Sequence, residues 1–107
     1  MTGDTDVRQL PHPDVADVGV TEVLFALSDD SRLDLVRRLA DGPLTVAQCQ
    51  AVEGQVPKST LSHHLRTLRQ SGLVRNDPAG RQRTISLRRA EFDARFPGLL
   101  DSVLAAR

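Results

Sequence analysis

The stretch Val56-Pro57-Lys58-Ser59-Thr60-Leu61-Ser62-His63-His64-Leu65-Arg66-Thr67-Leu68-Arg69-Gln70-Ser71-Gly72-Leu73-Val74 decides the fold. Leu61, Leu65 and Leu68 recur at i, i+4 and i+7, which places them on one helical face. Lys58, Ser59, Thr60, Ser62, His63, Arg66 and Arg69 belong to the polar remainder. Short hydroxyl and imidazole groups sit in the middle of that face, with cations around them. Short donors and acceptors let a helix approach base edges in a major groove, and Arg or Lys reaches phosphate or guanine. Pro57 suits the first helical position, where its missing N–H costs nothing. Gly72 stands where a helix ends on a left-handed residue. Leu73 and Val74 open an extended pattern. The spacing therefore predicts a DNA recognition helix running into a β-wing.

The charge distribution agrees. The 107 residues carry 14 Lys/Arg and 14 Asp/Glu, a formal net charge of zero. Residues 1–56 nevertheless hold ten acids and four bases, net −6, while residues 57–89 hold eight bases and one acid, net +7. A basic block on an acidic body is the electrostatic footprint of a polyanion site, against the plainer reading of a solvated charged surface. Trp and Tyr are absent and Phe occurs three times. That weakens any reading based on aromatic base stacking, such as single-strand RNA binding. No run is long enough to span a membrane, and the N-terminus lacks a basic-then-apolar leader pattern. One cysteine, Cys49, permits no intrachain disulfide, so a cytoplasmic setting is expected.

Working outward, Thr45-Val46-Ala47-Gln48 reads as a capping box for a short helix reaching about Val52. Leu44 and Cys49 take the staple positions beside it. Glu53-Gly54-Gln55-Val56 is then the turn of a helix-turn-helix. Upstream, Val20, Val23, Leu24 and Leu27 have helical spacing, Asp29 and Asp30 offer cap oxygens, and Leu33, Val36, Leu39 and Ala40 form a second helical face. Residues 1–16 lack periodicity and read as a flexible tail, in which His12 stands alone. Downstream, Asp77-Pro78-Ala79-Gly80 is turn chemistry, and Arg81 to Leu87 alternates, with Ile85 and Leu87 on one face. The hairpin is a wing whose Arg81 and Arg83 reach backbone or minor groove. Residues 89–95 read as helical, and Pro97 as the first position of a last helix bearing Leu99, Leu100, Val103 and Leu104. The expected fold is mainly α with a small β-hairpin: a winged helix-turn-helix over residues 17–107, helices at both ends forming a dimer interface. Val20, Val23, Leu24, Leu99, Leu100, Val103 and Leu104 would line it, because the two terminal faces exceed what one small core needs.

Ala26-Leu27-Ser28-Asp29-Asp30-Ser31-Arg32-Leu33, the Ser59 to Val74 pattern and the Gly80-Arg81 wing turn together resemble the ArsR/SmtB-type winged-helix regulators over about residues 18–104. The resemblance implies homodimers joined through terminal helices, repression by occupying operator DNA, and base reading by Lys58, Ser59, Ser62 and His63. Family members often carry Gln where Lys58 stands. Metal-sensing members commonly carry Cys-x-Cys in the third helix, or Asp and His on the last. Here Cys49 has no thiolate partner and residues 89–107 hold no His, so no metal site of those types and no cofactor is expected. The partners expected are double-stranded operator DNA, a second copy of the chain and an unidentified small-molecule inducer.

Other functions are weighed beside this one. His63 and His64 point about 100° apart on a helix and cannot readily share an ion; His64, at the edge of the apolar face, reads as packed and hydrogen-bonded. Cys49 lies near a helix N-terminus, which would make it a redox candidate if exposed, and a buried inert thiol otherwise. No nucleophile elbow, zincin motif, phosphate loop or dinucleotide fingerprint is present, so an enzyme is not expected. The alternatives are a redox-responsive repressor acting through Cys49 and a winged-helix module docking an acidic protein. A docking helix would show apolar or aromatic anchors, and this polar face has none.

Overall fold

Several helices begin where side-chain oxygens satisfy orphan N–H groups. The computed structural model describes residues 8–54 and 56–106. Asp14 caps a short 3-10 turn, Val15–Asp17, by accepting from the Ala16 N–H. Helix α1 (Val20–Leu27) follows, its Gly19 N–H donating to Glu22 Oε1. Asp29 caps α2 (Asp30–Leu39), its Oδ1 accepting from the N–H groups of Ser31 and Arg32. These bonds, that from Arg32 foremost, hold the Asp29 carboxyl below its ordinary pKa. Thr45 caps α3 (Val46–Glu53) in the reciprocal bonding expected: Gln48 N–H donates to Thr45 Oγ1 at 3.1 Å, and Thr45 N–H donates to Gln48 Oε1 at 2.8 Å. Helix α4 (Lys58–Gln70) closes on Gly72, whose φ of 81° is left-handed. Leu73 N–H reaches back to Leu68 C=O and Gly72 N–H to Arg69 C=O, the bonding of a Schellman ending. A Cβ on residue 72 would stand 3.1 Å from Val18 Cγ2, so packing as well as φ favours glycine here.

Strands β2 (Val74–Ala79) and β3 (Gln82–Leu87) form the wing, and helices α5 (Arg89–Arg95) and α6 (Leu99–Ala105) end the chain. The sheet has three strands, not two. Leu44–Thr45 is a strand, β1, and the order is β1-β3-β2, all antiparallel, with Leu44 opposite Ile85 and Thr45 opposite Thr84. Leu44, read as a staple, thus belongs to the wing sheet. The wing turn is also tighter than expected. Asp77 and Pro78 lie within β2, and Ala79 pairs with Gln82 across Gly80-Arg81 alone. Gly80, with φ of 63°, supplies the positive angle that a two-residue hairpin requires. Pro78 is tolerated because β2 is an edge strand, where its missing N–H leaves no ladder bond unmade. Two helix starts shift as well: Pro57 caps α4 rather than entering it, and α6 starts at Leu99 after a left-handed Gly98, not at Pro97.

The core joins every element: Leu35, Val36, Leu61, Leu68, Leu73, Val74, Ile85, Phe92 and Leu100 are buried together with Val23 and Cys49. Val23 and Leu100 are fully buried within one chain, which corrects their expected place in a dimer seam. Val20 and Leu24 remain exposed, at 48% and 52%, with Phe25 beside them at 61%. Leu99, Val103 and Leu104 are half-buried against the core.

Buried Arg32 ties three helices together. Its Nε donates to Ala26 C=O at 2.7 Å and its Nη2 to Phe25 C=O at 3.2 Å, closing the C-terminus of α1. Its Nη1 lies 3.3 Å from His64 Nδ1 on α4. An always-charged guanidinium can only donate, so Nδ1 accepts and the His64 proton sits on Nε2, toward Asp29 Oδ1 at 3.9 Å. Burial foremost lowers the His64 pKa, against the pull of Asp29. The packed, hydrogen-bonded role expected of His64 is the one the structure shows.

Residues 8–17, expected as a tail up to residue 16, are laid along the wing and the end of α4. Arg69 Nη1 donates to Pro11 C=O at 2.6 Å, Arg83 Nη1 to Arg8 C=O at 2.8 Å and Arg88 Nη1 to Pro13 C=O at 2.8 Å. Val15 and Val18 are buried against Gly72. Nothing periodic marks this segment because its polar bonds are made mostly by backbone carbonyls, which any residue supplies. The first seven residues of the expected tail lie outside the described residues.

Candidate nucleic-acid interface

The α4 period sorts its side chains as expected. Leu61, His64, Leu65 and Leu68 face the core, and Lys58, Ser59, Ser62, His63 and Arg66 are exposed, with Thr60 half-buried. The two adjacent histidines illustrate the phase: His63 is exposed and His64 buried. The Thr45–Gln48 box fixes the start of α3, and Gln50 Nε2 donates to Val56 C=O at 2.6 Å, closing the turn that precedes α4. The helix carrying the hydroxyl and imidazole groups is therefore held at both ends, by that turn and by the Gly72 closure.

Arg81 is exposed at the tip of the wing. Arg69 and Arg83 are placed otherwise than expected. Arg69 binds the N-terminal segment, and Arg83 clasps Asn76, with Nε donating to Asn76 Oδ1 at 2.7 Å and Nη2 to Asn76 C=O at 3.1 Å. Both still line a cleft beside α4. Their first task is to hold the wing base and the segment of residues 8–14 in one piece. Sequence reasoning missed Asn76 and Arg8. Asn76 is buried, which its polar type gave no reason to expect.

His12 also has a partner: Asn76 N–H donates to its Nε2 at 3.0 Å, so that nitrogen is unprotonated. Burial first, then Arg75, lowers the His12 pKa, with nearby Asp77 opposing and Arg69 and Arg88 adding to the fall. A histidine whose folded pKa lies below its ordinary 6.5 stabilises the fold fully above that value. The contribution is lost as pH falls through the lowered value, because the charged ring cannot accept the bond. Stability should thus decrease on acidification from about pH 7.5 to about pH 5. In His12→Leu the decrease should be smaller by about 1 kcal/mol, one hydrogen bond's worth. Urea unfolding of both proteins at the two pH values checks this, and identical slopes against pH would show that the bond contributes nothing.

Cys49 is fully buried, and burial foremost, with Glu53 adding, pushes its thiol up to about 11. The thiolate is the reactive form, so this position is the inert one and the redox reading loses its nucleophile. Among the described residues no group of three or more His, Cys, Asp or Glu is placed to hold a metal ion, and no helix is long and apolar enough to cross a membrane.

Comparison with known proteins gives the same picture. A helix-turn-helix domain family matches residues 27–76. The chain is 39% identical over 85 residues to the HTH-type transcriptional regulator NmtR of Mycobacterium tuberculosis, covering 79% of this chain and 67% of that protein. It is 32% identical over 83 residues to the HTH-type regulator YceK of Bacillus subtilis, covering 77% of this chain and 83% of that one. Among solved structures, an ArsR family transcriptional regulator superposes with a TM-score of 0.65 at 26% identity, over 78% of this chain and 84% of the other. The transcriptional repressor BigR from Xylella fastidiosa superposes with a TM-score of 0.61 at 30% identity, over 82% and 88%. Matched in sequence and in fold over most of its length, this chain belongs to the ArsR/SmtB-type family of winged helix-turn-helix, DNA-binding transcriptional regulators.

Proposed function

We propose that the protein is a homodimeric, sequence-specific repressor that works in the cytoplasm by occupying duplex operator DNA, without catalytic activity. The exposed polar face of α4 carries this reading. Ser59, Ser62 and His63 are short enough to reach base edges, and Lys58 and Arg66 flank them. Arg81 extends the positive surface to the wing tip. The exposed apolar face of α1, Val20, Leu24 and Phe25, supports a second copy as partner, with the half-buried α6 residues beside it. BigR, similar over most of the chain, is itself described as a repressor. Buried Cys49 and a last helix without His support a signal other than the metals sensed through Cys-x-Cys or His-bearing helices, namely an unidentified small-molecule inducer.

Duplex binding should be strongly salt-dependent, with each neutralised phosphate contributing a slope of roughly −0.9 in log affinity against log salt. Ser62→Ala and His63→Ala should each lose about 1–3 kcal/mol on the preferred site and little on random duplex. Arg81→Ala should weaken both alike. Genomic fragments selected on the purified protein, then titrated at several salt concentrations, provide the test. A flat salt response, or equal affinity for an acidic polypeptide, would remove the DNA reading.

A further inference from the structure

Beside the recognition helix, the N-terminal segment and the wing base enclose a cleft of about 530 Å³. Arg8, Arg66 and Arg69 line it, with Ser62, Asn76 and Arg83, and no carboxylate is among the described lining residues. Ser62, Arg66 and Arg69 follow at i, i+4 and i+7, so one ridge of α4 presents a hydroxyl and two guanidiniums to the same space. The opposite wall is Arg8, and it is there only because the segment is docked. Arg83 Nη1 holds the Arg8 carbonyl and Arg69 Nη1 holds that of Pro11. Arg69 feels the crowding: burial first, and then repulsion from Arg66 and Arg83, lowers its hold on its proton. Like charges gathered around a concavity whose described lining holds no acid are arranged for an anion.

We propose that this cleft is a phosphate seat, built from Arg66 and Arg69 on α4 and completed by Arg8 from the N-terminal segment. Its planar forks suit a phosphate ester, and the volume admits a sugar–phosphate unit rather than the phosphate alone. On the DNA reading above, on which this arm rests, the occupant is an operator backbone phosphate beside the bases that Ser62 and His63 read. The N-terminal segment is then a third DNA-contacting element, after the helix and the wing. A free phosphate ester has the same chemistry and would compete with the operator for the seat.

Arg8→Ala and Arg66→Ala test it in the full chain, since neither side chain makes a described hydrogen bond that holds the fold. Inorganic phosphate is titrated against the guanidinium Nε–Hε NMR signals, with chloride at matched ionic strength as reference. The expected result is saturable movement of the Arg66 and Arg69 signals with phosphate alone, and a fivefold or greater loss of phosphate affinity in Arg8→Ala. Duplex binding by Arg8→Ala should fall about three- to tenfold for every sequence, with the salt slope shallower by about 1. Phosphate saturation with unchanged duplex affinity would assign the seat to a free phosphate ester instead of the operator. Phosphate and chloride acting alike, together with unchanged duplex affinity, would overturn the proposal. A wild-type protein that ignores duplex DNA would defeat the repressor reading, and the phosphate titration would still decide the seat.

Discussion

Replacing Val20 and Leu24 with Glu is expected to turn a dimer into a folded monomer and to weaken operator binding by about 10²–10⁴-fold. Both side chains are about half exposed on α1, so the charges enter solvent in the isolated chain and leave its core intact. In a dimer they would enter a seam. Burying each apolar side chain contributes roughly 1.5–3 kcal/mol, and an unpaired carboxylate there reverses the sign. The loss in DNA affinity follows without any DNA-facing residue being touched. Two recognition helices bound to one another find the second half-site at a high effective concentration, and a monomer must bind each alone. Light scattering gives the mass and anisotropy with operator duplex gives the affinity of the same sample. A wild-type monomer at micromolar concentration would end the dimer proposal. A monomeric variant with unchanged affinity would show that pairing has no part in reading DNA. Leu100→Glu is not an equivalent test, because Leu100 is fully buried and the variant would unfold.

Arg32→Met should cost about 3 kcal/mol of folding free energy and lower the melting temperature by roughly 12–24 °C. Methionine keeps the aliphatic stem and removes every donor. The carbonyl of Ala26 and the Nδ1 of His64, both in buried bonds, then lose this donor at once, while the Phe25 carbonyl keeps the Ser28 N–H and hydroxyl. Leaving a buried acceptor unsatisfied costs about 1–3 kcal/mol, and part of each loss is recovered by relaxation. The guanidinium also stands 5.2 Å from the Phe25 ring centre, an attraction that methionine keeps only in part. His64→Leu in the Arg32→Met background should recover some stability, since it removes one orphaned nitrogen. Urea midpoints of the single and double variants measure this coupling. Purely additive losses would mean that Arg32 and His64 act independently. Arg32 also joins the helix carrying the exposed apolar face to the helix carrying the polar one, so the variant should loosen the spacing between the two reading heads of a dimer.

The recognition helix was legible because its signal is local. A leucine period, a Pro beside one end and a Gly at the other fix the phase, and the start to within one residue, inside twenty residues. The same holds for Thr45 with Gln48. Helix α1 was legible as a helix but not in its angular phase. Val20, Val23, Leu24 and Leu27 share an arc of about 100°, so only the packing decides that Val23 and Leu27 turn inward while Val20 and Leu24 stay outward. Strand β1 is two residues long, too short for any alternation to show. The docking of residues 8–17 was illegible for a different reason: its bonds run mostly from distant arginines to backbone carbonyls. The carbonyl and amide partners of Arg69 and Arg83 were illegible because an arginine's type says nothing about which anion or carbonyl it will meet.

The pairing of Thr45 with Thr84 bears on how the protein is made. These residues are the two ends of a loop that contains all of α3 and α4. Chain emerging from a ribosome therefore carries the complete helix-turn-helix well before the strand that closes it has been synthesised. Until Gln82–Leu87 arrives, β1 has no partner and the core lacks Ile85. A truncated translation product ending near Gly80 would display the reading helix without the stitch that orients it. Such fragments should be cleared by proteolysis rather than compete for DNA, so that only finished molecules present the helix.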